Sequence, residues 1–317
     1  MPDLITPPAE HYVAPFGQGE TLTVDAVRIK EQKSNLWLDA WRDMRSRPMF
    51  WISAVIILLV LAMALFPTLF TKVDPRLCIL SRSNGPSEAG HPLGFDFQGC
   101  DIYARIVHGT STSLSVGLIV ISMTFLIGTV IGSFSGFYGG VTDAVMSRIG
   151  DIFFSIPYIL AAVVVMSVLS AHRNVFVISL AIGGFAWPVT ARIMRSEILR
   201  VKNLDFVMAS ESLGLSRLKT LWLHVLPNSI APVIVVTTLS LSSAIVAEGV
   251  LSFLGVGLPP AKYISWGNDI SAAQVNLRTA PLTLAYPSIA LTVTVLGFVM
   301  FGEVLRDALD PKARAQR

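Results

Sequence analysis

Asp151, Glu248, Cys78 and Cys100 are the residues whose chemistry asks for an explanation first. Both acids lie in or beside long apolar runs. A carboxylate at membrane depth is costly, so it faces a protein interior or a water-filled path. Glu248, well inside its run, is either a gate or cavity group or a hydrogen-bonded helix contact, and Asp151, at the start of another run, is a second cavity or gate candidate. The two cysteines do not form a C-x-x-C pair, so neither a zinc site nor a thioredoxin-like site follows, and no metal site is expected. The Ser and Thr residues inside the apolar runs have no His partner there, which argues against a membrane-embedded hydrolase. A G-x-x-x-x-G-K-[ST] phosphate loop is also missing, so ATP, if used, is held by another chain.

The elements that must position these groups are membrane helices. The chain has 317 residues, 53% of them hydrophobic and 14% charged. Its mean hydropathy is +0.64. A soluble domain carries roughly 25% charge, so this is an integral membrane protein in a lipid bilayer. A net charge of +3 is too small to suggest a nucleic-acid partner. Residues 1–34 are polar, contain several prolines and read as a disordered tail. Residues 35–48 repeat Trp37, Ala40, Trp41 and Met44 at helical spacing, which suits an interfacial helix. The first span is 49–71, long enough to stay in the bilayer rather than act as a cleaved signal. An outer segment, 72–112, follows. Five further spans are expected at about 113–137, 152–170, 175–193, 230–254 and 282–305, and 306–317 forms a tail. Gly128, Gly132, Gly136 and Gly140 fall at four-residue intervals, the spacing that lets two helix backbones approach closely.

One polar stretch stands apart. Within 200–228, residues 205–214 and then 224–228 read as two short helices broken at Gly214, with Pro227 opening the next span. A helix–turn–helix of this kind on the basic side of a membrane is a docking knob for a soluble partner.

The stretch resembles the coupling loop of the permease subunits of ABC importers, whose pattern is Glu-Ala-Ala, three residues, Gly, nine residues, Ile-x-Leu-Pro. Met208, Ala209, Ser210, Gly214, His224, Leu226 and Pro227 occupy those places. His224 to Asn228 is similar to the dipeptide/oligopeptide branch. So are His91-Pro92-Leu93-Gly94, Trp187-Pro188 with Arg192 and Arg195, Leu251-Ser252-Phe253-Leu254-Gly255, Trp266-Gly267-Asn268 and Leu305 to Pro311. The likeness runs in order from about Trp37 to Arg314. It implies an all-α polytopic fold with six transmembrane helices and a cytoplasmic coupling helix. The resemblance further implies a second permease subunit in a heterodimer, two ATPase subunits or domains that bind ATP and Mg, and an extracytoplasmic binding protein. No cofactor belongs to this chain itself. The cargo implied is a short peptide, with nickel as the alternative within the same branch. ATPase docking falls to Met208, Ala209, Ser210, Leu213, Gly214 and Leu215. Met208 stands where the family has Glu and Cys100 where it has Arg. A secondary transporter would show inverted repeats and midplane charges, and neither is evident.

Cys78 and Cys100 share the one long outer segment, and the chain has no other cysteine. On the oxidising side of a membrane they are expected to form a disulfide pinning the insert between them; two unpaired thiols are the alternative. The side itself follows from Lys and Arg. With the N-terminus inside, 17 of the 24 basic residues fall in inner segments. Both termini are therefore expected in the cytoplasm of a bacterial inner membrane. A reporter fused after Arg317 is expected to work only if it functions inside the cell, and one inserted near Asn84 only if it functions outside; reversal at either site overturns the orientation.

Overall fold

The computed structural model describes residues 36–309. The expected tail at 1–34 and the motif end at Asp310-Pro311 lie outside the described residues, as does most of 306–317. The described elements are α1 (Leu36–Arg45), α2 (Pro48–Leu65), α3 (Ile102–Tyr138), α4 (Gly140–Ser155), α5 (Tyr158–Val168), α6 (Val175–Val201), α7 (Asp205–Ser212), α8 (Arg217–Thr220), α9 (Leu226–Phe253), α10 (Trp266–Ala273) and α11 (Pro281–Leu309). A single π-type turn, Leu221–Val225, joins α8 to α9. Among the described residues, five helices are long and apolar enough to cross a membrane, or six if the bent pair α4–α5 is one span.

Two helix starts differ from the sequence expectation. The second span begins at Ile102, not near 113, because the Asp101 carboxylate caps the helix by accepting from the Ala104 amide. Its first turns carry Tyr103, Arg105, His108 and Thr110, so hydropathy rises only later. The third span begins at Gly140 and takes in Asp143 and Arg148, residues expected in a loop. It then breaks at Ile156–Pro157 and resumes as α5, bent by 78°. Pro157 has no N–H and disfavours helical geometry in the residue before it; Ile156 is extended accordingly, at φ −95° and ψ 119°.

The helix α3 is the mast of the fold. Its glycine stripe packs on α6 of the same chain. A Cβ on Gly128 would stand 2.6 Å from Thr190 Cβ, and one on Gly132 2.4 Å from the Ala191 carbonyl oxygen. On Gly136 it would stand 2.9 Å from the Arg195 carbonyl oxygen. Gly140 is outside this seam, with open space around it. Beyond the seam, Val116 and Val120 of α3 join Ile178 and Ile182 of α6 and Ala244 and Leu251 of α9 in a buried core. On the other flank, α2 lies against α11, with Gly297 facing Ile56. Ala40 and Met44 of α1 are buried against α11, while Trp37 and Trp41 stay about half exposed. That is the division an amphipathic helix at a bilayer surface shows.

Between α2 and α3 the outer segment folds on itself. Cys78 and Cys100 are joined by a disulfide. Beside it, Arg76 donates to the carbonyls of Ala261 and Lys262 at 2.9 and 2.7 Å, tying the segment to the loop after α9.

The seam predicts a packing effect. Gly132→Leu is expected to cost about 1–3 kcal/mol through overpacking. Gly184→Ala, where nothing lies within 4 Å, is the harmless control. Thermal melting of the detergent-purified protein checks this, and equal melting of both variants would refute the seam.

Candidate functional site

The helix α7 ends in a Schellman motif. Gly214 at φ 86° occupies the left-handed position. Its amide donates to the Glu211 carbonyl at 3.0 Å, and the Leu215 amide donates to the Ser210 carbonyl at 3.2 Å. The chain thus turns sharply from α7 into α8, and the two short helices make a knob. Val207 anchors it, buried with Ile198, Val201, Leu221 and Val225. Arg217 lies 5.9 and 5.7 Å from the ring centres of Phe137 and Tyr138 at the end of α3. Lys202 donates to the Gly136 carbonyl at 2.8 Å. The knob is therefore fixed to both helices of the glycine seam.

Its outer face exposes apolar side chains beside the charged and polar Glu211 and Ser212. Met208 is 52% exposed and Leu213 83%. Ala209 and Gly214 are exposed beside them, and Leu215 is half-buried. Ser210 departs from the expected set: it is buried and its hydroxyl donates to the Val207 carbonyl at 2.7 Å. Its small size serves packing at that point rather than a free surface.

Asp151 and Glu248 are not brought together. Asp151 is about half exposed and accepts from Arg192 Nη2 at 2.8 Å. The Arg192 guanidinium also covers the Phe154 ring at 4.0 Å. Next to it is a stronger clamp that the sequence did not single out. Arg195 donates through Nε and Nη2 to both oxygens of Asp143, each at 2.6 Å, and Ser135 and Ser147 donate to the same carboxylate. Arg195 and Asp143 lie 52 residues apart, so only the folded bend of α4 against α6 pairs them.

Glu248 is fully buried and accepts from the hydroxyls of Ser113 at 3.3 Å, Ser252 at 3.0 Å and Ser265 at 2.8 Å. The Trp266 amide donates to Ser113 Oγ, and its indole Nε1 donates to the Ile106 carbonyl at 3.0 Å. The acid thus ties α3, α9 and the start of α10 into one knot. A second tie lies nearby, where the Arg105 guanidinium donates to Oδ1 of Asp269 with Asp96 close to the same group. Oδ2 of Asp269 is buried without a hydrogen-bond partner. Burial, opposed by Arg105 but reinforced by the Asp96 charge, pushes the Asp269 carboxyl up to about 6. Among the described residues, no cluster of three or more His, Cys, Asp or Glu side chains could hold a metal ion.

A partly apolar knob packed on two long helices, helices clamped by polar groups at several points and a disulfide-tied segment between α2 and α3 define a membrane scaffold of packed helices. Residues 128–315 match the family of binding-protein-dependent transport system inner membrane components. Residues 35–84 match the N-terminal transmembrane domain of oligopeptide transport permease C. The chain belongs to the family of binding-protein-dependent transport system inner membrane components. It is 36% identical to the oligopeptide transport system permease protein OppC of Bacillus subtilis (strain 168), over 92% of this chain and 94% of that one. With the dipeptide transport system permease protein DppC of Alkalihalophilus pseudofirmus, identity is 34% over 88% and 91%. With the glutathione transport system permease protein GsiD of Pectobacterium atrosepticum it is 32% over 92% and 96%. The solved inward-facing MetNI methionine ABC transporter shares the fold, with a TM-score of 0.50 at 17% identity, covering 67% of this chain and 96% of that one.

Asp269 gives this site a pH dependence. Its folded-state value of about 6 stands above the free value of 3.8, so the folded protein holds the proton more tightly. The associated stability is complete below the free value and is lost as pH rises through the folded one. Asp269→Asn is therefore expected to gain melting temperature relative to the unmodified protein as pH rises from the free value of 3.8 to about 6, and to gain nothing further above that. A constant difference across that window would refute the assignment.

Proposed function

We propose that the chain is one permease of a heterodimeric, ATP-driven importer that carries short peptides inward across a bacterial inner membrane. Its two ATPase partners hold the ATP and Mg, dock on the α7–Gly214–α8 knob and drive the helices between outward and inward openings. An extracytoplasmic binding protein delivers the peptide. Both termini lie in the cytoplasm, as the excess of Lys and Arg in the inner segments supports. The names of the relatives favour a peptide over nickel. The observation that carries the reading is the knob itself, an exposed apolar face of Met208, Ala209 and Leu213 on a rigid base. No covalent chemistry is assigned to this chain; its work is mechanical.

Gly214→Val tests the docking. A β-branched residue resists the left-handed backbone, at a strain on the order of 1–3 kcal/mol. The variant is expected to reach the membrane in normal amount, to co-purify with less ATPase and to take up labelled dipeptide about tenfold more slowly, as about 1.4 kcal/mol implies. Normal uptake by Gly214→Val would remove the knob from the mechanism.

A further inference from the structure

Four elements meet on one small cavity near the disulfide. Asp96 comes from the segment between α2 and α3, Arg105 from the first turn of α3, Asp269 from α10 and Thr283 from the start of α11. The remaining walls are apolar. The cavity measures about 20 Å³, and one water needs roughly 10–15 Å³. Arg105 directs Nε, at 2.8 Å, and Nη2 to a single oxygen of Asp269, Oδ1. The other oxygen, Oδ2, is buried and has no hydrogen-bond partner. The Asp269 side chain is only 10% exposed. This chain alone supplies that burial, so a neighbouring subunit can only deepen it. Asp96 gives Oδ1 to the amides of Gln98 and Cys100, at 2.8 and 2.9 Å, and holds Oδ2 3.8 Å from Arg105 Nε, too far for a hydrogen bond. The Thr283 hydroxyl donates to the Ala280 carbonyl at 2.7 Å, which leaves its lone pairs as acceptors.

We propose that this cavity is the site of one buried water, and that the water and Asp269 together form a proton-binding latch between α10 and α3. With every group ionised, two carboxylates share one guanidinium, and the buried surplus charge is costly. A proton removes it: hydronium protonates Oδ2, and the water left behind accepts the new O–H. That water donates its two hydrogens to Asp96 Oδ2 and Thr283 Oγ1. Oδ1 keeps its contacts from Arg105, so the tie survives protonation and is firmest in acid. Burial sets the midpoint, pushing the Asp269 carboxyl up to about 6 against the pull of Arg105. Glu248 of α9 is a further acid within electrostatic reach. The site depends neither on the cargo nor on which way the chain faces.

A pH titration of the full chain in lipid nanodiscs tests this, read by infrared difference spectroscopy of protonated carboxyls. Carbon-13 in the aspartate carboxyls separates Asp269 from Glu248. An aspartate band is expected to fade as pH rises through about 6 and to be missing in Asp269→Asn. The absence of such a band overturns the proton site. The protonated state uses both acceptors of the water and the ionised state only one. Thr283→Val is therefore expected to lower the midpoint, weakening proton affinity about threefold. A midpoint left in place or raised overturns the water. The latch is read by hydrogen exchange of the α10 amides, taken relative to Asp269→Asn at each pH so that intrinsic rates cancel. The ratio is expected to rise at least about tenfold between the free value of 3.8 and about 6 and to stay level above. A flat ratio overturns the latch.

Discussion

The close approach of α3 and α6 is the constraint on which the rest depends. In lipid there is no hydrophobic drive to bring helices together, so association depends on packing and on polar contacts. Gly128, Gly132 and Gly136 let the backbones come near enough that any side chain would collide with a carbonyl or a β-carbon. Everything functional hangs from that seam. The knob is bound to its Tyr138 end through Lys202 and Arg217, and the bend of α4 is held to it by Asp143 and Arg195.

Polar clamps then act as registers along the apolar seam. Glu248 joins three hydroxyls from α3, α9 and the residue before α10, and Asp143 joins Arg195 with two more hydroxyls. Removing one partner of such a group leaves a buried polar atom unsatisfied, a cost of about 1–3 kcal/mol. Neither clamp lines the uncharged cleft beside the α4–α5 break.

Much of this was legible in the sequence. Hydropathy marked the spans, the four-residue glycine spacing marked the seam, and Gly214 marked the turn of the knob. Cys78 and Cys100 were paired correctly because both fall in one outer segment. The missed features share a physical cause. The start of α3 was set too late because its first turns are polar, and only the Asp101 cap reveals that the helix has already begun. Asp143 passed for a loop residue because its partner Arg195 is distant in sequence. The lone Pro157 could signal a kink, but not that two half-helices would bend by 78° around a cleft. Glu248 could not be assigned, since its three serine partners come from three separate segments.

The run from Arg217 through the π turn to Phe253 has a mechanical meaning. These 37 residues form one continuous helix, about 55 Å long at 1.5 Å per residue. One end is the foot of the knob, the other lies beyond Glu248, and Ser243 lies between them. Such a rod is a lever. Force applied at the foot becomes rotation about wherever the rod is gripped, and the opposite end swings the other way. The Glu248 knot fastens Ser265 and the start of α10 to that far end, so α10 is coupled to the rod rather than to the cleft. The π turn near the foot, with its looser hydrogen-bond geometry, and Pro232 a turn or two further on, which removes a helical hydrogen bond, are the compliant joints in the lever.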